Sequence, residues 1–231
     1  MAKKPLPIVI SLGGSLIVPD ELDVHFIRAF RKFILAQVAK GQRFILIVGG
    51  GRTARRYQAA AAKVTKLTRD DLDWLGIHST RLNAHLLRTI FREHAHPQLI
   101  TDRKKIDTRI PEPIIIATGF KPGSSTDYDA VLLAKAYKAK TILNLSNIDW
   151  VYTADPRTHK NAKPLVHVTW KQFQRLVGTR WDPGANVPFD PVASKWAAKW
   201  GMTVVITRGT DFSNLRKLVA GKPAKGTSIT A

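Results

Sequence analysis

The sequence predicts an α/β fold built on a mainly parallel, buried sheet. Two observations predict it. Apolar runs bounded by turn residues alternate with longer segments of helical period, which is the pattern of successive βα units. The apolar runs are also nearly continuous, as strands covered on both faces require.

Taken in order, Pro7 to Leu12 reads as a strand running into the glycine pair Gly13 and Gly14, and Glu21 to Ala39 reads as a helix. Arg43 to Val48 is a second strand, stopped by Gly49, Gly50 and Gly51, with helices expected over Thr53 to Val64 and Ile77 to Glu93. Gln98 to Thr101 and Ile114 to Thr118 read as strands, Tyr128 to Tyr137 as a helix and Lys140 to Leu145 as a strand. Helices follow over Trp170 to Leu176 and Pro191 to Trp200, then a strand over Thr203 to Thr207, a helix near Phe212 to Ala220 and a short strand near Gly226 to Ile229. Proline and glycine cluster in Lys121 to Gly123 and in Asp182 to Pro191, which are therefore loops. No repeat or linker divides the chain, so residues 1–231 are expected to form one domain of two lobes.

Composition narrows the chemistry. The 231 residues are 44% hydrophobic, ordinary for a globular protein, and contain no cysteine, which removes disulfides, thiolate metal sites and thiol nucleophiles. No apolar run approaches the roughly 20 residues that span a bilayer. Met1 to Pro5 leads into Leu6 to Leu12 without a small-residue cleavage site, so a cytoplasmic protein is expected. The formal charge of +20 attracts polyanions through a long-range field and raises non-specific binding of nucleic acid. The basic residues are nevertheless spread along the chain, and the densest cluster, Arg103 to Lys105, is short and flanked by Asp102 and Asp107. A solvated basic surface is the simpler account.

Four segments carry groups suited to phosphate chemistry. Gly13, Gly14 and Ser15 follow a strand; glycine lets backbone amides approach phosphate oxygens closely, although a plain turn explains the pair as well. Gly49 to Gly51 open a helix bearing Arg52, Arg55 and Arg56, an anion site made of free amides and nearby cations. Neither turn has the spacing of a Walker A loop or of a dinucleotide fingerprint. The loop Gly119, Phe120, Lys121, Pro122, Gly123, Ser124, Ser125, Thr126, Asp127 precedes a helix; capping accounts for Thr126 and Asp127 and leaves Lys121 and the paired serines to be explained. Asn144 to Pro156 places polar groups after a strand, then Tyr152 and Asp155, a set able to stack on a base and hydrogen-bond a ribose.

In this order the four segments resemble the amino acid kinase superfamily, and most of all its UMP kinases of archaeal type. The resemblance is carried by Ile10 to Ser15, Gly49 to Tyr57, Asp73 to Asn83, Pro122 to Asp127 and Ser146 to Pro156, and it spans nearly the whole chain. It implies a three-layer αβα sandwich with an acceptor lobe over about residues 1–138 and an ATP lobe over about 139–231, ATP and Mg²⁺ as cofactors, UMP as acceptor, and a homo-oligomer, by resemblance a hexamer. Ser11, Leu12, Gly13, Gly14, Ser15, Gly51, Arg55, Ser146, Asn147, Tyr152 and Asp155 would face ATP. Gly50, Asp73 and the loop Phe120, Lys121, Pro122, Gly123, Ser124, Ser125 and Thr126 would hold UMP, and Asp190 looks like the acidic residue that organises phosphoryl transfer.

The chain departs from the pattern at three places. Bacterial UMP kinases carry a lysine where this chain has Ser11; archaeal-type members also lack it, and Lys121 or Arg55 is the nominated substitute cation. Trp150 replaces the usual glycine after the motif Asp149, where it would narrow a nucleotide pocket, stack on a base or pack at a subunit contact. Trp181 to Asp190 differs from both archaeal and bacterial members, which leaves open a kinase with another acceptor or a non-catalytic, nucleotide-binding or storage descendant.

Overall fold

The computed structural model of the protein describes residues 5–178 and 187–231. Along the chain lie β1 (Ile8–Leu12), α1 (Gly14–Ile17), α2 (Val24–Val38), β2 (Phe44–Val48), α3 (Gly51–Val64), α4 (Arg69–Ile90), β3 (Ile114–Ala117), α5 (Thr126–Ala136), β4 (Thr141–Ser146), β5 (Val151–Tyr152), β6 (Pro164–Leu165), β7 (His167–Thr169), α6 (Trp170–Val177), α7 (Pro191–Lys199), β8 (Thr203–Arg208), α8 (Phe212–Val219) and β9 (Thr227–Thr230).

Seven strands form one sheet in the order β3-β2-β1-β4-β8-β9-β7. The five from β3 to β8 are mutually parallel, and β9 pairs antiparallel to β8. A two-stranded ribbon, β5 with β6, projects beside it. Alternate residues of each strand enter two separate cores, because successive side chains leave a strand on opposite faces. Val9, Ile45, Ile115 and Ile142 pack with α5, α6 and α7, whereas Ile10, Leu46, Ile116 and Leu143 pack with α2, α4 and α8. The result is helix, sheet, helix. Helix α2 shows how the pattern becomes packing: Phe26, Phe30, Phe33 and Ile34 are all buried on one face, each contributing about 1.5–3 kcal/mol.

Boundaries differ from the sequence expectation where a cap intervenes. Helix α4 begins at Arg69 rather than Ile77, since Thr68 and Asp71 form a reciprocal capping box. Helix α2 begins at Val24 because Asp23 accepts the Phe26 amide. Gln98 to Thr101 makes only an isolated bridge, Ile100 with Ala117, rather than a strand. Of the atypical segment Trp181 to Asp190, the residues up to Asn186 lie outside those described, as do Met1 to Lys4.

The topology marks one place for a ligand. Strands β2 and β3 lie to one side of β1 and strands β4 and β8 to the other, so the order reverses between β1 and β4. In such sheets the crevice beyond the carboxyl ends of the strands at that reversal is the binding site.

Candidate active site

The two glycine turns meet at this reversal. Gly14 begins α1 and Gly51 begins α3, and the Gly49 amide donates to the Leu12 carbonyl at 3.0 Å. A Cβ on Gly14 would collide with the Gly51 nitrogen and the Gly49 carbonyl, so the two turns touch backbone to backbone. Gly51 also holds φ +64°, in the left-handed region that favours glycine. Asn83 on α4 fastens the second turn, its amide donating to the carbonyls of Gly49 and Gly50 at 2.9 and 3.2 Å. Ser15, Leu12 and Gly13 lie on the same ridge, with Leu12 buried and available only through its backbone.

Directly below, on the face covered by α5 and α7, stands a set of carboxylates. Ser11 and Asn144 are register partners on β1 and β4, and both donate to Oδ1 of Asp127, at 2.8 and 2.9 Å. The Asp190 amide donates to Oδ2 of Asp127 at 3.2 Å. Asp127 retains some exposure at the crevice but is enclosed by protein; desolvation, opposed by the Ser11 hydroxyl and reinforced by the Asp190 charge, pushes its pKa up to about 6. Asp190 is 1% exposed and caps α7, accepting the Ala193 amide at 2.6 Å through Oδ1. Its Oδ2 is buried with no hydrogen-bond partner among the described residues, and burial raises its pKa although the nearby Ser125 hydroxyl draws it partly back. Asp129 is likewise 1% exposed and accepts the Phe120 amide at 3.0 Å; desolvation, then the Asp190 charge, raise it to about 8 against the lowering pull of Lys121. At neutral pH the Asp129 carboxyl is therefore mostly protonated.

The loop 119–127 closes over the front. Gly119 donates to Thr80 Oγ1 at 3.0 Å and Gly123 to Asp73 Oδ2 at 2.7 Å, so two residues of α4 hold both arms of the loop. Ser124 donates to the Lys121 carbonyl, and Ser125 is the N-cap of α5, accepting the Tyr128 amide at 3.1 Å. This corrects the capping expectation for Thr126 and Asp127: both lie inside the helix, and Asp127 turns its carboxylate to the sheet. Phe120 is buried, Pro122 partly so, and Lys121 exposed.

The remaining predicted residues lie further out. Ser146 ends β4 and Asn147 follows it, Tyr152 ends β5, and Asp155 beyond it is held by Arg157 at 2.8 Å, which keeps its pKa near 2. Arg55 is exposed on α3 without a hydrogen-bond or ionic partner among the described residues. In the sequence Asp127 and Asn144 stand out only as members of the loop 119–127 and the segment 144–156, Thr80 and Asn83 only as members of the segment 73–83, and Asp129 not at all. A polar residue inside an otherwise apolar strand run, Asn144 in TILNLS, was the available signal.

Similarity to known proteins follows the same geometry. The defining pattern of the amino acid kinase family matches residues 7–208. The chain is 34% identical over 224 residues to a uridylate kinase of Pyrococcus abyssi, covering 96% of this chain and 98% of that one. It superposes on the crystal structure of a uridylate kinase from Archaeoglobus fulgidus with a TM-score of 0.83 and 32% identity, covering 97% of this chain and all 100% of that one. An aspartate kinase from Synechocystis shares the fold at a TM-score of 0.75 and 20% identity, this chain spanning 39% of its length. With two glycine turns locked together at the strand-order reversal and a family pattern running from β1 to the end of β8, the chain belongs to the amino acid kinase family.

Proposed function

We propose that the chain transfers the γ-phosphoryl group of ATP to UMP, giving UDP and ADP. The observation that carries this reading is the convergence, at one end of β1 and β4, of two amide-rich glycine turns and a tethered acceptor loop. That is a place for two phosphates side by side. The full-length likeness to proteins called uridylate kinases favours UMP as the acceptor.

Little covalent work is needed. An ionised phosphate oxygen of UMP attacks the γ-phosphorus in line, the new O–P bond forms as the bond to the β,γ-bridging oxygen breaks, and ADP leaves with that electron pair. Catalysis is alignment and charge stabilisation. In this reading Gly13, Gly14, Ser15 and Gly51 seat the ATP phosphates, Ser146, Asn147, Tyr152 and Asp155 seat its nucleoside, and Gly50, Asp73 and the loop 120–126 hold UMP. Lys121 and Arg55 supply positive charge. Asp127 is a positioning residue that locks β1, β4 and α7 together, while the protonated Asp129 spares the transfer centre one negative charge. Mg²⁺ is read as arriving on the ATP oxygens, as part of the substrate. Assembly into a hexamer and a cytoplasmic location belong to the same reading; no described helix is long and apolar enough to cross a membrane.

The test is ADP release from ATP and Mg²⁺ with UMP, CMP, AMP or no acceptor. Turnover that depends on UMP supports the assignment. Consumption of another acceptor with UMP inert, or ATP binding without turnover of any acceptor, would sink it.

A further inference from the structure

On the opposite face of the sheet from Asp127 and Asp190, a cavity of about 340 Å³ opens between Trp150, the exposed side of α8 and the turn Pro223 to Lys225. This volume suits a single small ligand. Its walls combine an aromatic plane, Trp150, with two apolar residues, Pro223 and Ala224, and two cations, Lys217 and Lys225.

Each wall is held in place. Asn214 donates to the Lys225 carbonyl at 2.8 Å and accepts the Lys225 amide at 2.7 Å, which ties the turn to α8, and the same amide group reaches Thr207 at 3.1 Å. Trp150 is fixed on both sides. Asp149 before it is gripped by Arg208 through two hydrogen bonds of 2.8 Å, and the Val151 amide after it donates to Thr227 Oγ1 at 2.8 Å. The indole itself is idle. Trp74, Trp170, Trp196 and Trp200 each contact another ring, but among the described residues Trp150 has no ring, cation or hydrogen-bond partner.

The charges are unequal in the same way. The two acids near the cavity are engaged, Asp149 by Arg208 and Asp211 as the N-cap of α8, accepting the Asn214 amide at 2.9 Å. Neither Lys217 nor Lys225 has an ionic partner among the described residues, although Lys225 lies close enough to act on Asp149 through its field. A preformed aromatic shelf beside two free ammonium groups selects a planar ring carrying an anionic tail. The indole overlaps a bicyclic base more fully than a monocyclic one.

We propose that the Trp150, Lys217 and Lys225 cavity is a second nucleotide site, taking a purine nucleotide with its base on the indole and its phosphates toward the two lysines. It does not depend on UMP being the acceptor. Trp150 lies four residues after Ser146 and two before Tyr152, so a ligand there stiffens the segment that would seat the donor nucleoside.

Equilibrium dialysis of the full chain against ADP, without acceptor, counts the sites. The expected result is two ADP per chain for the wild type and one for Trp150→Gly. The double variant Lys217→Ala/Lys225→Ala, altered only at exposed side chains, should weaken the second ADP at least about tenfold. Inorganic pyrophosphate should displace it far less well than unlabelled ADP. One ADP per wild-type chain, a second ADP that survives both variants, loss of the only ADP together with turnover in Trp150→Gly, or equal displacement by pyrophosphate would each overturn the proposal.

Discussion

The carboxylate of Asp127 accepts the backbone amide of Asp190 at 3.2 Å, joining the first turn of α5 to the cap of α7 across 63 residues of sequence. Its other oxygen collects Ser11 and Asn144 from adjacent strands, so three segments depend on one side chain. In Asp127→Asn one carboxylate oxygen becomes a donor facing another donor, and the strand ends and α7 lose their common anchor. Displacing reacting groups by about 1 Å is enough to cost on the order of 10²-fold in kcat, with KM for ATP changed less. The wild-type rate should also fall as pH drops through about 6, because protonation removes an acceptor; the phosphate of UMP titrates in the same range for both proteins, so the Asn variant should keep only that limb and fall less steeply than the wild type. Steady-state kinetics across pH decide the matter, and an unchanged acid limb in the variant would refute the positioning role.

Gly14 is the second point of failure. Its missing Cβ is what lets α1 and α3 begin against each other, since any side chain there would strike the Gly51 nitrogen and Gly49 carbonyl, which are backbone and cannot swing aside. Gly14→Ala should destabilise the protein by about 1–3 kcal/mol and weaken ATP binding. Thermal unfolding with and without ATP reads both effects. Wild-type stability and wild-type ATP protection together would show that the turns tolerate separation.

The contrast between these two residues explains what was legible in the sequence. Gly14 is legible in company, because a glycine pair after an apolar run fits a plain turn as well and gains its meaning from the ordered segments that follow, whereas the strands and long helices are legible from period and composition. Asp127 is not legible in either way. An Asp two residues after a serine pair reads as a cap, and only the parallel register that sets Ser11 beside Asn144 reveals that it faces the sheet instead. Thr80 and Asn83 were hidden similarly, as polar members of a long amphipathic helix whose partners lie at least 33 residues away in the chain. Short elements such as β5, β6 and β7 depend on long-range pairing and leave little local trace.

Asp73 offers a prediction about the acceptor. It spans the gap between α4 and the loop by accepting the Gly123 amide at 2.7 Å, so the loop is closed by a contact made within the protein. Asp73→Ala removes that tether, and because Thr80 still holds Gly119 the other arm stays in place. The expected outcome is KM for UMP raised about tenfold or more with KM for ATP within about twofold. Equal effects on the two substrates would mean that Asp73 supports the whole crevice.

Asp129 yields the clearest pH signature in stability. It is raised from the ordinary 3.8 to about 8, chiefly by burial, so the folded state holds a proton that the unfolded chain has released over most of that interval. The sign follows from linkage: its favourable contribution is complete below the unfolded pKa and is lost as pH rises toward about 8, above which no more is lost. Asp129→Asn keeps an acceptor for the Phe120 amide and removes the proton, which should leave the variant less pH-sensitive and, at alkaline pH, more stable than the wild type by up to a few kcal/mol. Urea unfolding of both proteins between about pH 5 and about pH 9 measures the difference directly. Curves that run parallel over that range would mean Asp129 is ionised throughout, and the transfer centre would then have to carry three negative carboxylates rather than two.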